Sequence, residues 1–271
     1  MRVLTWNCRR AKASSPLWEH LRELNPDIAI LQEVSSLPSP LQASYDIRMT
    51  HPRTRKGGSQ RFASVLLVKG IINEEIALRS TRSWVDAQLK HFAPNLLAHR
   101  VTPAGGASLI VIGVYSPAWP VDRAAYRGLD VSDVKLPENP EIWVSDLLVS
   151  ALRDSVSPSQ ASVVAGDFNA CETFDSWKNG PRGNRRWLDR MAGLGLIECL
   201  RHRAGRLTPT FRRPGTLAAH CQIDHLFVSK GLAACLEDCT TGDPAVVFGV
   251  PLSDHLPIIA AFSWDVNAHA A

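Results

Sequence analysis

The strongest constraint on this chain is where its polar residues fall relative to its apolar runs. Short apolar segments recur throughout, at residues 2–6, 28–32, 63–68, 96–101, 108–114, 162–165, 222–228 and 258–262. Runs of this length bounded by turn residues read as β-strands. Helical spacing interrupts them. Leu17, Leu21 and Leu24 share one face of a helix over 16–24, with Ser15 as its N-cap before Pro16. A second helix is expected over 140–153, with Ile142, Leu147, Leu148 and Leu152 inward, and a third over 185–192, ended by Gly193. Segments 63–68 and 73–78 flank Gly70 as a hairpin would. This uneven mix predicts an α/β chain of two packed sheets with helices outside. The Pro-, Asp- and Arg-rich stretch 116–139 reads as a functional loop with a short helix, so residues 1–271 are expected to form one catalytic domain.

The chemistry-bearing residues stand at the ends of these runs. Asn7 follows the first, Gln32-Glu33 the second and Tyr115 the run 110–114; Gly166-Asp167-Phe168-Asn169 follows Val163-Val164, and Ser253-Asp254-His255 precedes the last strand. Asp224 lies amid Ile223, Leu226, Phe227 and Val228, so once buried it must be paired or coordinated. His225 has the opposite strand parity, which turns it to the other face as a structural residue. Singly, each has a plain reading: Asn7 caps a turn, Glu33 is a solvated loop carboxylate, and Asp167 with Asn169 forms an Asx turn. Together they offer hard oxygen donors that suit Mg²⁺ or Mn²⁺ and not zinc. A histidine beside an aspartate adds a cation for a phosphate oxygen, or an acid–base group near neutral pH. Metal-assisted phosphoester hydrolysis requires these parts.

In order, the motifs are Thr5-Trp6-Asn7, Leu31-Gln32-Glu33, Val114-Tyr115-Ser116-Pro117, Gly166-Asp167-Phe168-Asn169, Gln222-Ile223-Asp224-His225 and Ser253-Asp254-His255-Leu256-Pro257. The series resembles the endonuclease/exonuclease/phosphatase superfamily over nearly the whole chain. The resemblance implies a four-layer α/β sandwich with two packed mixed β-sheets. It implies Glu33 as the main metal ligand, with Asn7 nearby, and Asp254 at the metal or its water shell. Asp167 would orient or deprotonate the attacking water, and Asn169 would hold the phosphate or that aspartate. His255 would contact the scissile phosphate, with Asp224 fixing its tautomer. Tyr115 matches a phosphate-contacting tyrosine, or packs behind the site. One departure stands out. Where exonuclease III-type enzymes read N-x-[DN]-G, this chain reads Asn7-Cys8-Arg9-Arg10. Arg9 cannot ligate a metal, so either the metal has fewer protein ligands or Arg9 binds substrate phosphate. That counts against abasic-site endonuclease activity.

The pattern around Asp224 is nearer the nuclease form R-I-D-Y-x-L than the W-C-D-R of inositol phosphatases. Thr208-Pro209-Thr210-Phe211 resembles the aromatic loop of nucleases, where Phe211 stacks on a base or sugar, or else is core, with Arg212 alongside. A net charge of +4 and arginine clusters within 53–61, 182–190 and 201–213 fit an anionic partner. Nucleic acid is therefore the expected partner. A lipid or small phosphate ester, or a catalytically silent binding relative, are the alternatives. No secretion signal and no run of about 18 apolar residues is visible. The six cysteines form no CxxC pair, so reduced thiols, a cytoplasmic location and a monomer are expected.

Overall fold

The computed structural model describes residues 1–178, 181–213, 215–216 and 218–264. Its strands are β1 (Arg2–Ala11), β2 (Ile28–Val34), β3 (Asp46–Thr50), β4 (Ala63–Val68), β5 (Gly70–Glu75), β6 (Leu96–Pro103), β7 (Leu109–Tyr115), β8 (Ser162–Asp167), β9 (Leu196–Glu198), β10 (Asp224–Ser229), β11 (Leu236–Thr241) and β12 (Ile258–Phe262). One six-stranded sheet runs β11-β12-β1-β2-β4-β3, and the other runs β5-β6-β7-β8-β10-β9. The helices are α1 (Leu17–Leu24), α2 (Ser39–Ser44), α3 (Ser83–His91), α4 (Val144–Ser155), α5 (Asn184–Gly193), α6 (Cys199–Ala204), α7 (Lys230–Ala233) and α8 (Pro244–Gly249).

The sheets face each other across Val3, Ile28, Ile30, Val111, Val163, Leu226 and Ile258. On the outer face of the first sheet, Leu17 and Leu21 of α1 and Val247 and Phe248 of α8 cover Leu4, Leu31 and Leu67. On the outer face of the second, Val85 of α3, Leu147 and Leu148 of α4 and Trp187 of α5 cover Ile110, Ile112, Val164 and Phe227. Helix, sheet, sheet, helix is the expected four-layer sandwich. Strands β4, β7, β8 and β10 are buried at every residue, which explains their unbroken apolar character.

Three local expectations need correction. Segments 63–68 and 73–78 are not a hairpin: β4 already has β2 and β3 on its two edges, so the chain crosses to the other sheet and β5 pairs with β6. Gly70 makes that crossing at φ 147°, where a Cβ would meet the Thr102 carbonyl at 2.2 Å. Ser15 does not cap α1 through its side chain; its carbonyl instead accepts the Trp18 N–H. Helix α4 starts later than 140, because the Asp146 carboxylate takes the Trp143 N–H at 2.8 Å and fixes the first turn there.

The topology gathers the polar ends. β1 and β2 are parallel and bring Asn7 beside Gln32, while β7 and β8 are parallel and bring Tyr115 beside Asp167. β10 is antiparallel to β8 and starts where β8 stops, so Asp224 stands opposite Asp167. β12 is antiparallel to β1, which returns the segment carrying Ser253–His255 to the same edge.

Candidate active site

At the floor of this edge lie Asp167, Asp224 and His255, exposed by 3%, 1% and 5%. One ligating atom from each falls within 4.8 Å of the others. Gly166 allows this closeness: at φ 149° its Cβ would lie 1.9 Å from the Val114 carbonyl of β7, so a side chain there would push the strands apart. Asp224 accepts the Thr210 hydroxyl at 2.7 Å and His255 Nδ1–H at 2.9 Å. Burial, and then the charge of Asp224, push the Asp167 carboxyl up to about 7. Burial alone would lower His255. The charge and hydrogen bond of Asp224, followed by Asp167, outweigh it and raise the imidazole to about 9. His255 is therefore an imidazolium at neutral pH, with Nδ1–H on Asp224 and Nε2 left for a substrate. The trio has the ligand spacing of a metal site, but its oxygens are already engaged, those of Asp224 by Thr210 and His255 and those of Asp167 by Asn7 and Asn169. Backbone supports hold it: Trp6 Nε1 donates to the His255 carbonyl at 2.8 Å, and Ser253 Oγ donates to the Asn7 carbonyl at 2.7 Å.

Toward solvent stands a second group. Asn7 Nδ2 donates to Asp167 Oδ2 at 3.0 Å and approaches Glu33 Oε1 at 3.5 Å; the Tyr115 hydroxyl donates to the same Glu33 oxygen at 3.3 Å. Arg9 Nε lies 3.5 Å from Asp254 Oδ2, and Arg10 Nε lies 3.8 Å from Glu33 Oε2. The backbone here is strained: Arg9, Arg10, Glu33 and Asn169 have φ of 47°, 59°, 54° and 49°. A left-handed residue with a Cβ costs about 1–2 kcal/mol, and such strain gathers at functional sites. Glu33 and Asp254 are hard donors, partly exposed and only loosely paired with Arg10 and Arg9, so they fit Mg²⁺ or Mn²⁺. Asn7 presents its amide nitrogen to Glu33, and its oxygen accepts the Arg9 N–H at 3.0 Å, so it ligates only if that amide turns.

The sequence matches the endonuclease/exonuclease/phosphatase family over residues 4–255, which spans the whole constellation. The chain belongs to that family. It is a family of phosphoesterases. No curated protein matches the sequence. Among solved structures, the fold is similar to a Neisseria 3′ phosphatase bound to a product DNA hairpin, at 21% identity and a TM-score of 0.69, covering 97% of this chain and 100% of that one. It is similar to an AP endonuclease from Archaeoglobus fulgidus at 20% identity and a TM-score of 0.69, covering 97% and 99%. It is also similar to the Xenopus laevis APE2 catalytic domain at 17% identity and a TM-score of 0.66, covering 98% and 92%.

The remaining candidates of this family member take distinct positions. Asn169 donates its backbone N–H to Asp167 Oδ1 at 3.0 Å, while its side-chain amide holds the Ser116 carbonyl at 2.8 Å. It therefore joins the Asp167 and Tyr115 strand ends. Tyr115 is buried; burial, then the Glu33 charge, push its phenol well above the ordinary range, so it remains a donor. The Phe211 ring lies 4.8 Å from that of His255. Arg212 is engaged elsewhere, over the Phe248 ring at 4.5 Å. His225 turns away, as parity indicated, with Nε2 3.0 Å from the Ala170 carbonyl under Phe168, Trp187 and Phe227. The 182–190 arginines serve the fold: Arg185 pairs with Glu172 and Asp189, Arg186 with Glu138, and Arg190 bonds the Val134 and Lys135 carbonyls. Thr210 and Arg10 were not singled out by sequence. Thr210 stood inside the flagged 208–211 segment, but nothing in a lone threonine points to Asp224.

Among the described residues no helix is long and apolar enough to cross a membrane.

Proposed function

We propose that this chain is a divalent-metal-dependent nuclease that hydrolyses phosphodiesters of DNA or RNA by in-line attack of water. The observation that carries the reading is the oriented Asp167. Its two oxygens are held by the Asn7 amide and the Asn169 N–H, opposite a cationic His255 and beside Glu33. Ionised Asp167 takes the proton of the attacking water. His255 Nε2–H donates to a phosphate oxygen, and Asp224, fixed by Thr210, keeps the imidazolium charged and aimed. Tyr115 adds a neutral donor beside Glu33. Mg²⁺ or Mn²⁺ on Glu33, with Asp254 and Asn7, would supply positive charge against the phosphate as charge builds there. Arg9 meets substrate phosphate and Phe211 offers a face for a base or sugar, while Arg212 stays on the Phe248 ring. A monomer is part of this reading, and so is a cytoplasmic location, with which the six free thiols agree. DNA gains support from the Neisseria neighbour, which carries a DNA product.

The test is supercoiled-plasmid nicking with Mg²⁺ or Mn²⁺, with and without chelator. Nicking that the chelator abolishes, and that Asp167→Asn loses, supports the proposal. Release of phosphate from a terminal 3′ monoester without nicking replaces it with a phosphatase, the activity of that same neighbour. Metal-independent DNA binding without turnover replaces it with a binding relative.

A further inference from the structure

Arg9 and Arg10 are adjacent, left-handed and positively charged, and each faces a carboxylate of the metal side. Arg9 faces Asp254 at 3.5 Å and Arg10 faces Glu33 at 3.8 Å. Neither distance is that of a hydrogen bond, so each pair is a loose Coulombic association. The guanidinium side chains are 53% and 72% exposed, against 24% and 20% for their carboxylates, whereas the Asp167–Asp224–His255 floor is closed. The arginines therefore stand on the solvent side of the carboxylates. Arg10 is steadied 5.7 Å from the Phe62 ring, whose other neighbour is Tyr115 at 5.4 Å. This strained stretch lies in the irregular part of the β1–β2 pairing, between Asn7 and Ala11, where the chain leaves the ladder and returns.

The charges suggest an exchange. Among the described residues, the arginine ion-pair partners of Asp254 and Glu33 are Arg9 and Arg10. A metal on those carboxylates would compete with both guanidiniums, and two freed cations side by side at a solvent-facing rim would offer a site for an anion. We propose that Arg9 and Arg10 form a two-guanidinium clamp for a second phosphate, next to the scissile one, and that metal binding hands them over from Asp254 and Glu33 to that phosphate. The clamp rests on the nuclease reading above and makes it more specific: the preferred substrate is a strand carrying at least two consecutive phosphates. An isolated phosphodiester fills the floor and leaves the clamp empty.

The test uses Arg9→Gly with Arg10→Gly, since glycine suits both left-handed backbones and keeps the fold. Mn²⁺ is titrated calorimetrically into wild type, the double variant and Glu33→Gln. Binding of a ten-nucleotide single strand and of a dinucleotide with one internal phosphate is then measured over a salt series, in an Asp167→Asn background with Mn²⁺. The double variant is expected to bind Mn²⁺ about threefold to tenfold more tightly, because an exposed ion pair competes by that much. The ten-mer is expected to lose roughly 1.4 from its slope of log affinity against log salt, while the dinucleotide is unchanged. Unchanged or weaker Mn²⁺ binding in the double variant, with Glu33→Gln impaired, overturns the handover alone. Equal losses for ten-mer and dinucleotide overturn the second-phosphate assignment and put the arginines on the scissile group. Undiminished Mn²⁺ binding in Glu33→Gln overturns the metal reading and the handover with it.

Discussion

At the floor of the site Asp224 is 1% exposed and accepts hydrogen bonds from two partners at 2.7 and 2.9 Å. At the rim Glu33 and Asp254 are 20% and 24% exposed, and their guanidinium partners stand at 3.8 and 3.5 Å. Both regions hold carboxylates opposite cations, yet they do so with different physics. The floor is closed to solvent, and its groups are tied to one another by short hydrogen bonds. That arrangement is preorganised for charge in a transition state and needs no rearrangement. The rim is partly exposed and its pairs are loose, the arrangement into which the proposed divalent ion or phosphate would exchange. A phosphoesterase must do both: fix its acid–base groups, and admit a metal and a polyanion.

The comparison breaks most directly at Asp167 and His255. If the floor is the rigid half, Asp167→Asn or His255→Ala should each reduce kcat by about a hundredfold or more. Nicking assays at saturating metal check this. A loss of only a few-fold would make the floor as exchangeable as the rim.

The pH profile separates the halves next. Asp167 is raised to about 7, so its base form is present above that pH and is lost as pH falls through it. His255 is raised to about 9, so its cation is present below that pH and is lost as pH rises through it. Activity should therefore peak near pH 8 and fall up to about tenfold per pH unit on either side. Replacing both rim arginines by glycine should leave the two limbs in place. Movement of either limb by a full unit would show that rim charges govern the floor.

Thr210→Val comes third. It removes one of the two donors on Asp224 Oδ2 and leaves His255 Nδ1 as the other, a loss of about 1.5–3 kcal/mol for a hydrogen bond to a charged group. The expected result is roughly a tenfold lower kcat with KM within about twofold, because Thr210 acts only through Asp224 and His255. An unchanged kcat would show that Asp224 does not depend on that hydroxyl.

The floor was more legible in the sequence than the rim, and for a physical reason. A carboxylate inside Gln222–Phe227 has to find a partner, and a conspicuous His255 lay at another strand end, so burial made Asp224 and His255 stand out. Strand parity likewise turned His225 away. Thr210 escaped because a hydroxyl is at home in a loop with or without a partner. The arginine clusters misled in the other direction. The run 182–190 suggested phosphate contact, yet its members are taken by Glu172, Asp189, Glu138 and backbone carbonyls. Whether an arginine is free or engaged depends on what sits opposite: Asp189 is four residues from Arg185 on the same helix, but Glu172 and Glu138 come from other segments and leave no trace in local spacing. The crossing at Gly70 was misread for the same reason. A glycine between two strand-like runs fits a hairpin equally well until the edges of β4 are known to be occupied.

Arg212 gives the smallest effect and the closest control on the rim. It neighbours Phe211 beside His255, and its backbone N–H donates to the Asp254 carbonyl at 2.9 Å, so by position alone it rivals Arg9. Its guanidinium nevertheless lies 4.5 Å from the Phe248 ring centre, a cation–π contact worth about 0.5–1 kcal/mol at a partly exposed position. If a guanidinium held on an aromatic face is unavailable to substrate, Arg212→Ala should lower the stability seen in chemical denaturation by about that amount. KM should stay within about twofold, unlike Arg9→Gly with Arg10→Gly. The converse result, a tenfold rise in KM with an unchanged denaturation midpoint, would mean that the Phe248 stack opens for a phosphate. The rim would then extend across Phe211 to the far side of His255, and exchangeable cations would surround the rigid floor on both sides.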